Sequence, residues 1–449
     1  MATNETHDPN MTSWIESAND PATDFPIQNL ALCSFERSHD GNTHDHMGVR
    51  IGDQVLDVTM LMESGFFDDD ELLTNCLGIP YWGAIADVRS TWAPLRQKLQ
   101  HFLRADSHVG QQGRRLRQKA VYAAVDQKFT LPVAPFNYTD FYASKHHASN
   151  VGAMFRPDNA LLPNYTHIPI GYHGRASSII ISGTDVRRPS GQQSPPEADP
   201  KAGPTFAPCK MLDYELELAL VAGSRSTLGE PIPMSKVHEH MFGLLILNDW
   251  SARDMQKWEY QPLGPFLAKN FATTISPYIV TMEALEPFRI PGPERAAGDP
   301  EPLPYLRSSE NWGLDITCEA YLQSASMRDK SIAPVLLSSG SFKHMYWTLA
   351  QMLVHHTSNG CNIMPGDLLG SGTISGPEKS SRGCLLELTW DGNGPDNKPK
   401  PRTPITLPSG ETRTFLADGD EVIMKAFCQR EGFRRIGFGE CRGRILPAR

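Results

Sequence analysis

The sequence predicts a mainly β protein of two domains, a small N-terminal unit followed by a larger β-rich one. A chain of 449 residues exceeds what one hydrophobic core usually serves. The stretch Leu131-Pro132-Val133-Ala134-Pro135 stiffens the backbone and removes amide donors, as a connection between domains does. Beyond it, short β-like runs alternate with Pro/Gly-rich loops, notably at 187 to 208, 286 to 304 and 391 to 410, while long helical patterns are scarce.

Residues 1–23 are polar and mildly acidic, with neither the apolar stretch of a secretory signal nor the Arg-rich bias of a transit peptide, and read as a flexible tail. The N-terminal domain is expected over 24–131. In it, Val49 to Val58 reads as two short strands around a Gly52-Asp53 turn. Ile85, Val88, Trp92, Leu95, Leu99, Phe102 and Leu103 recur at helical spacing, with Pro94 kinking or restarting the helix. Arg114, Arg115, Arg117 and Lys119 read as a solvated face. In the second domain, expected over 132–449, Leu212 to Leu220 alternates with period two. Ser341 to Gly360 reads as a helix with a Ser cap and a terminal Gly, and His355 and His356 complement the dipole of its last turn.

Composition narrows the function classes. Hydrophobic residues at 40% against 21% charged argue against wholesale disorder. The net charge of -9 and the lack of a long basic block argue against nucleic-acid binding. The apolar run Met241 to Leu247 falls far short of the roughly twenty residues a bilayer requires, so no membrane partner is expected and a cytoplasmic protein is the simplest fit. The eight cysteines never approach C-x-x-C spacing and read as reduced core residues.

Alternation over 212 to 220 puts Glu215 and Glu217 on one strand face, where a hard divalent cation would cancel their repulsion; a solvent-exposed face is the alternative. Asp249 falls at a strand-to-helix junction. A helix starting near Ser251 would align Arg253, Gln256 and Tyr260 on one stripe, suited to a carboxylate or enolate, or else simply solvated. Lys269 sits among apolar and small residues, where a buried ammonium needs an anionic partner, unless its head reaches water. The segment 138 to 152 gathers Asp140, Tyr142, His146 and His147, an acid, a phenol and candidate bases. The glycines of 366 to 376 let backbone approach a ligand, with Thr373 as a hydroxyl donor.

In this order and over residues 24 to 449, these segments resemble the fumarylacetoacetate hydrolase family. The resemblance implies an SH3-like β-barrel N-terminal domain, a larger mainly β catalytic domain, and a homodimer. It implies a metal-dependent hydrolase that splits the β-diketone acid 4-fumarylacetoacetate into fumarate and acetoacetate, the last step of tyrosine and phenylalanine catabolism. Carried over by position, calcium is expected at Asp140, Glu215, Glu217 and Asp249, and magnesium near Asp249 with Lys269 and Thr273. His147 then looks like the general base and Glu387 like the carboxylate that orients it. Arg253, Gln256 and Lys269 look like the oxyanion-stabilising set, and Tyr142, Arg156, Tyr172, Gln256, Tyr260 and Thr373 like substrate contacts. Lys145-His146 stand where the family pattern has Arg-Gln, and Ala268 and Ala272 where it has glycine. Two other readings are acylpyruvate hydrolysis, decarboxylation or hydration on the same fold, and a non-catalytic metal-binding module; the four retained acids speak against the second.

Overall fold

In the computed structural model, which describes residues 3–39, 41–195, 199–308 and 310–449, the chain enters its first sheet at Ala31. Strands β1 (Ala31–His39), β2 (Asn42–Ile51), β3 (Gln54–Asp57), β4 (Val121–Ala123) and β5 (Phe129–Thr130) pair antiparallel in the order β4-β3-β2-β1-β5. The β2–β3 turn is the expected one: Gly52 takes φ 54, a left-handed conformation that favours glycine. Helix α1 (Trp92–Leu103) starts just before Pro94, whose missing amide costs nothing in a first turn. It buries Trp92, Leu95, Leu99, Phe102 and Leu103.

Residues 3–23 depart from the expected flexible tail. They form two 3-10 turns, Glu5–His7 and Glu16–Asn19, and bury Thr6, His7, Ser13, Ile15 and Ala18. The anchor combines a few unevenly spaced apolar residues, Met11, Trp14, Ile15 and Ala18, with polar contacts, so no apolar periodicity announced it. Buried Arg96 of α1 donates to Thr6 Oγ1 at 3.1 Å and to the Gln28 carbonyl at 2.5 Å, and Gln100 donates to the Thr6 carbonyl at 2.8 Å.

The second sheet has eight strands: β6 (Tyr138–Phe141), β7 (Gly171–Gly174), β8 (Ile179–Ile181), β9 (Leu216–Ala222), β10 (Met241–Asp249), β11 (Thr273–Ile275), β12 (Val280–Thr281) and β13 (Leu368–Gly370). Their order is β7-β6-β13-β9-β10-β11-β8, with β12 on β10; β6–β13 and β8–β11 are parallel and the rest antiparallel. The central strands β9 and β10 are buried along their whole length, as their near-continuous apolar sequences require. One face, through Leu216, Leu218, Leu220, Leu244 and Ile246, packs into the large core. The other, through Tyr138, Ala219, Val221, Leu245, Leu247, Ile275 and Leu368, packs into the same core as β2, β3 and α1. A third sheet orders Val335–Ser341, Thr317–Gln323, Glu421–Cys428, Ile436–Leu446 and Val186–Arg187.

Three further expectations shift. The period-two segment is broken at Tyr214-Glu215, because the Asp213 side chain accepts the Tyr214 amide and Asn248 accepts that of Glu215. Two helices beside the site are α2 (Lys145–Phe155) and α3 (Arg253–Glu259); α3 begins two residues later than expected because Ser251–Ala252 is held against Leu212–Asp213 as a strand pair. Helix α4 (Leu349–Thr357) is capped by Thr348 through a capping box with Gln351, whereas Ser341 caps only the short turn Phe342–His344. Helix α5 (Leu385–Leu388) completes the elements that frame the site. All eight cysteines are free and seven are buried. Among the described residues no helix is long and apolar enough to cross a membrane.

Candidate active site

The sheet face that packs on the N-terminal core turns acidic toward one end. Two residues along from Tyr138 is Asp140, two from Ala219 is Glu217, two from Leu247 is Asp249, and two from Leu368 is Gly370. Glu215 joins them from the break before β9. Ligand atoms of Asp140, Glu215, Glu217 and Asp249 all lie within 4.8 Å of one another, and all four residues are buried. Gly370 makes the convergence fit: a Cβ there would stand 2.8 Å from Asp140 Oδ1 and 3.1 Å from Glu217 Oε2. The Gly372 amide donates to those same two oxygens at 3.2 and 3.0 Å.

Two buried cations balance part of this charge. Lys269 Nζ donates to Glu215 Oε2 at 2.5 Å, to Asp249 Oδ2 at 2.8 Å and to Ser251 Oγ at 2.7 Å, which uses all three of its hydrogens. Arg253 donates to Glu215 Oε1 at 2.6 Å, to Asp213 at 3.0 Å and to the Gln256 amide oxygen at 3.2 Å. Burial alone would raise Glu215, but Lys269 and Arg253 overcome it and hold the carboxyl well below its usual range. Asp140 and Glu217 lack such partners. Burial, then repulsion from their neighbours, pushes both well above theirs. Glu217 Oε1 and Asp249 Oδ1 are buried with no protein hydrogen bond. Hard oxygen donors, orphaned lone pairs and closely spaced carboxylates are together what a site for a hard metal cation presents.

Beside the cluster, His147 Nδ1 lies 2.5 Å from Glu387 Oε2. Ser144 caps α2 by accepting the His147 amide, which fixes the helix turn carrying the imidazole. Burial would raise Glu387, but the His147 charge and hydrogen bonds from His147, Asn150 and Ser375 bring it down to about 2. An ionised Glu387 only accepts, so Nδ1 carries a hydrogen, and of the two neutral tautomers this selects the one with its lone pair on Nε2. Nε2 faces Glu215 Oε1 at 4.0 Å, beyond hydrogen-bond reach.

Asp140 and Glu215 of the cluster and His147 of the pair line one cavity of about 340 Å³. Its wall contains all six residues expected to contact substrate: Tyr142, Arg156, Tyr172, Gln256, Tyr260 and Thr373. The structure qualifies two expectations. Tyr172 already donates its hydroxyl to Asp249 at 2.7 Å, and Lys269 has no spare hydrogen for an oxyanion, so it acts here through its charge. Gln256 keeps its amide nitrogen free because Arg253 takes its oxygen, and the buried Thr373 hydroxyl has no protein partner. Thr273 is buried opposite Asp249 in the β10–β11 pairing. The sequence reading passed over Asp213, Asn150, Ser375 and Gly370. Asp213 had a signal, since it shares the period-two face of Glu215 and Glu217; Asn150 and Ser375 lay inside segments already singled out.

Residues 137–446 match the family described as fumarylacetoacetate (FAA) hydrolase C-terminal, and residues 28–132 that described as fumarylacetoacetase N-terminal. Among curated proteins the chain is 46% identical to the fumarylacetoacetase of Bos taurus over 446 residues, covering 97% of this chain and 99% of the relative. It is 46% identical to that of Homo sapiens over 440 residues, with the same coverage. The Arabidopsis thaliana fumarylacetoacetase is 45% identical over 441 residues, covering 98% of this chain and 99% of the relative.

Proposed function

The chain belongs to the fumarylacetoacetate hydrolase family, and from that premise we propose how its residues carry out the reaction. It is a hydrolase acting on carbon-carbon bonds, splitting 4-fumarylacetoacetate into fumarate and acetoacetate, and so closing tyrosine and phenylalanine breakdown. The observation that carries the site reading is a cluster of four buried carboxylates and a His147–Glu387 pair that present Asp140, Glu215 and His147 to one cavity.

Asp140, Glu215, Glu217 and Asp249 would hold Ca²⁺, with Mg²⁺ as the second ion near Asp249, Lys269 and Thr273. When bound, the cation supplies Lewis-acid polarisation of the diketone oxygens. His147 Nε2 takes a proton from water, and Glu387 supports the resulting imidazolium through Nδ1. The hydroxide adds to the carbonyl carbon next to the scissile bond. Arg253 and the Gln256 amide donate to the new oxyanion, and the nearby Lys269 charge favours it. Collapse of the tetrahedral adduct breaks the carbon-carbon bond; the electron pair leaves as an enolate, which takes the proton from His147 to give acetoacetate. Tyr142, Tyr172, Tyr260 and Thr373 line the substrate, and Arg156 offers a cation to a substrate carboxylate. Burial, followed by the Glu387 and Glu215 charges, holds the Tyr142 phenol far above its usual range, which keeps it a neutral donor.

The proposal divides the chain at residue 131, reads the five-stranded N-terminal sheet as the SH3-like barrel, and takes the protein as a cytoplasmic homodimer with no nucleic-acid or membrane partner. Loss of fumarylacetoacetate absorbance tests the site reading directly. Turnover should stop when a chelator strips the cation and return with Ca²⁺ or Mg²⁺. His147→Ala should fall by at least about 10²-fold in kcat while binding Ca²⁺ normally. Chelator-insensitive turnover, or near-normal His147→Ala, rejects it.

A further inference from the structure

Asp213 is wholly buried and takes no part in the carboxylate cluster, yet its two oxygens serve widely separated parts of the chain. Oδ1 accepts the amides of Leu385 at 2.8 Å and Tyr214 at 2.9 Å. Oδ2 accepts the amide of Leu386 at 2.9 Å and Arg253 Nε at 3.0 Å, and Arg253 Nη2 stands 2.9 Å away as an ion-pair contact without a hydrogen bond. Leu385 and Leu386 are the first two residues of α5, whose amides have no acceptor within the helix. The next residue is Glu387, which holds His147. Arg253 continues from Asp213 to Glu215 and Gln256. A plain helix cap would need only the amides, and a plain ion pair only the guanidinium; Asp213 joins the two.

We propose that Asp213 is a positioning residue for catalysis. It sets the oxyanion-facing guanidinium and the acid behind the base in one rigid frame, so that the guanidinium meets the carbonyl oxygen and the imidazole the attacking water from fixed directions. This rests on the roles given above to Arg253 and Glu387. A guanidinium edge held on one buried carboxylate oxygen, whose partner oxygen is fixed by two backbone amides, has little room to shift, and an error of about 1 Å in a reacting group costs on the order of 10²-fold in rate.

The test is steady-state kinetics on Asp213→Asn, Arg253→Gln, Glu387→Gln and the double variant Asp213→Asn/Arg253→Gln, with Ca²⁺ affinity by calorimetry. Asp213→Asn should lose about 10²-fold in kcat, with KM and Ca²⁺ affinity within about threefold of the parent protein. The double variant should lose less than the product of the two single losses, because the two residues share the Arg253 arm of the frame. Should Asp213→Asn fail to fold, Asp213→Glu keeps the charge but misplaces it, and should show the same kcat loss. A kcat within about threefold of the parent, or losses that multiply in the double variant, overturns the proposal. Normal turnover in both Arg253→Gln and Glu387→Gln would instead reject the functional reading beneath it.

Discussion

Glu387 is held ionised by its own neighbours, whereas Asp140 and Glu217 must wait for a cation. That difference separates their variants. Glu387→Gln keeps the shape but offers an amide that favours the wrong imidazole tautomer, so kcat should fall by about 10²- to 10⁴-fold with Ca²⁺ binding by calorimetry unchanged. A loss of Ca²⁺ affinity would mean Glu387 belongs to the cation site. At this scale Asp140, Glu215, Glu217, Asp249, Lys269 and the His146-His147 pair could be singled out from the residues, because charges placed among apolar neighbours are conspicuous, whereas Glu387 and the choice of His147 over His146 came only through the family resemblance. Asn150 and Ser375 could not, since a neutral hydrogen-bond donor looks alike in a loop and behind a catalytic acid.

At the scale of elements, short β13 decides whether the acids can approach. Gly370→Ala should weaken Ca²⁺ binding by about tenfold or more, since an added methyl at hydrogen-bond distance from two carboxylate oxygens must displace them. Circular dichroism should remain that of the parent protein; unchanged affinity would show that the strand can yield. The β2–β3 hairpin was legible because Gly52-Asp53 fixes its turn chemistry locally. The α4 start was not: Ser341 and Thr348 are both acceptable caps, and only tertiary packing selects the second. Likewise the strand pair Leu212–Asp213 with Ser251–Ala252, which delays α3, depends on partners about forty residues apart.

Over the whole molecule, charge and packing meet on one sheet. Burial and mutual repulsion raise Asp140 and Glu217 in the folded protein, so without metal it binds more protons than the unfolded chain once pH passes the ordinary carboxylate range. The metal-free protein should therefore lose stability as pH rises through that interval. Added Ca²⁺ should raise Tm more at about pH 8 than at about pH 5, as differential scanning calorimetry would show; an equal shift at both would place the binding energy elsewhere. Removing residues 1–131 should leave an insoluble remainder, because Val221, Leu245, Leu247 and Ile275 would lose their cover. Soluble, active 132–449 would contradict this. How deeply the first 131 residues interlock with the rest was not legible, since residues 3–23 are anchored by Arg96, Gln100 and a few scattered apolar side chains rather than by a periodic apolar stripe.

The shared sheet face also constrains exchange of parts between relatives. A chimera that takes its first 131 residues from another member of the family inherits a foreign surface against Tyr138, Ala219, Val221 and Leu368, on the very strands whose ends hold the acids. Poor fit along that seam would be felt as misplaced oxygens rather than as visible unfolding. Grafts that restore turnover should be those that transplant both sides of the seam together.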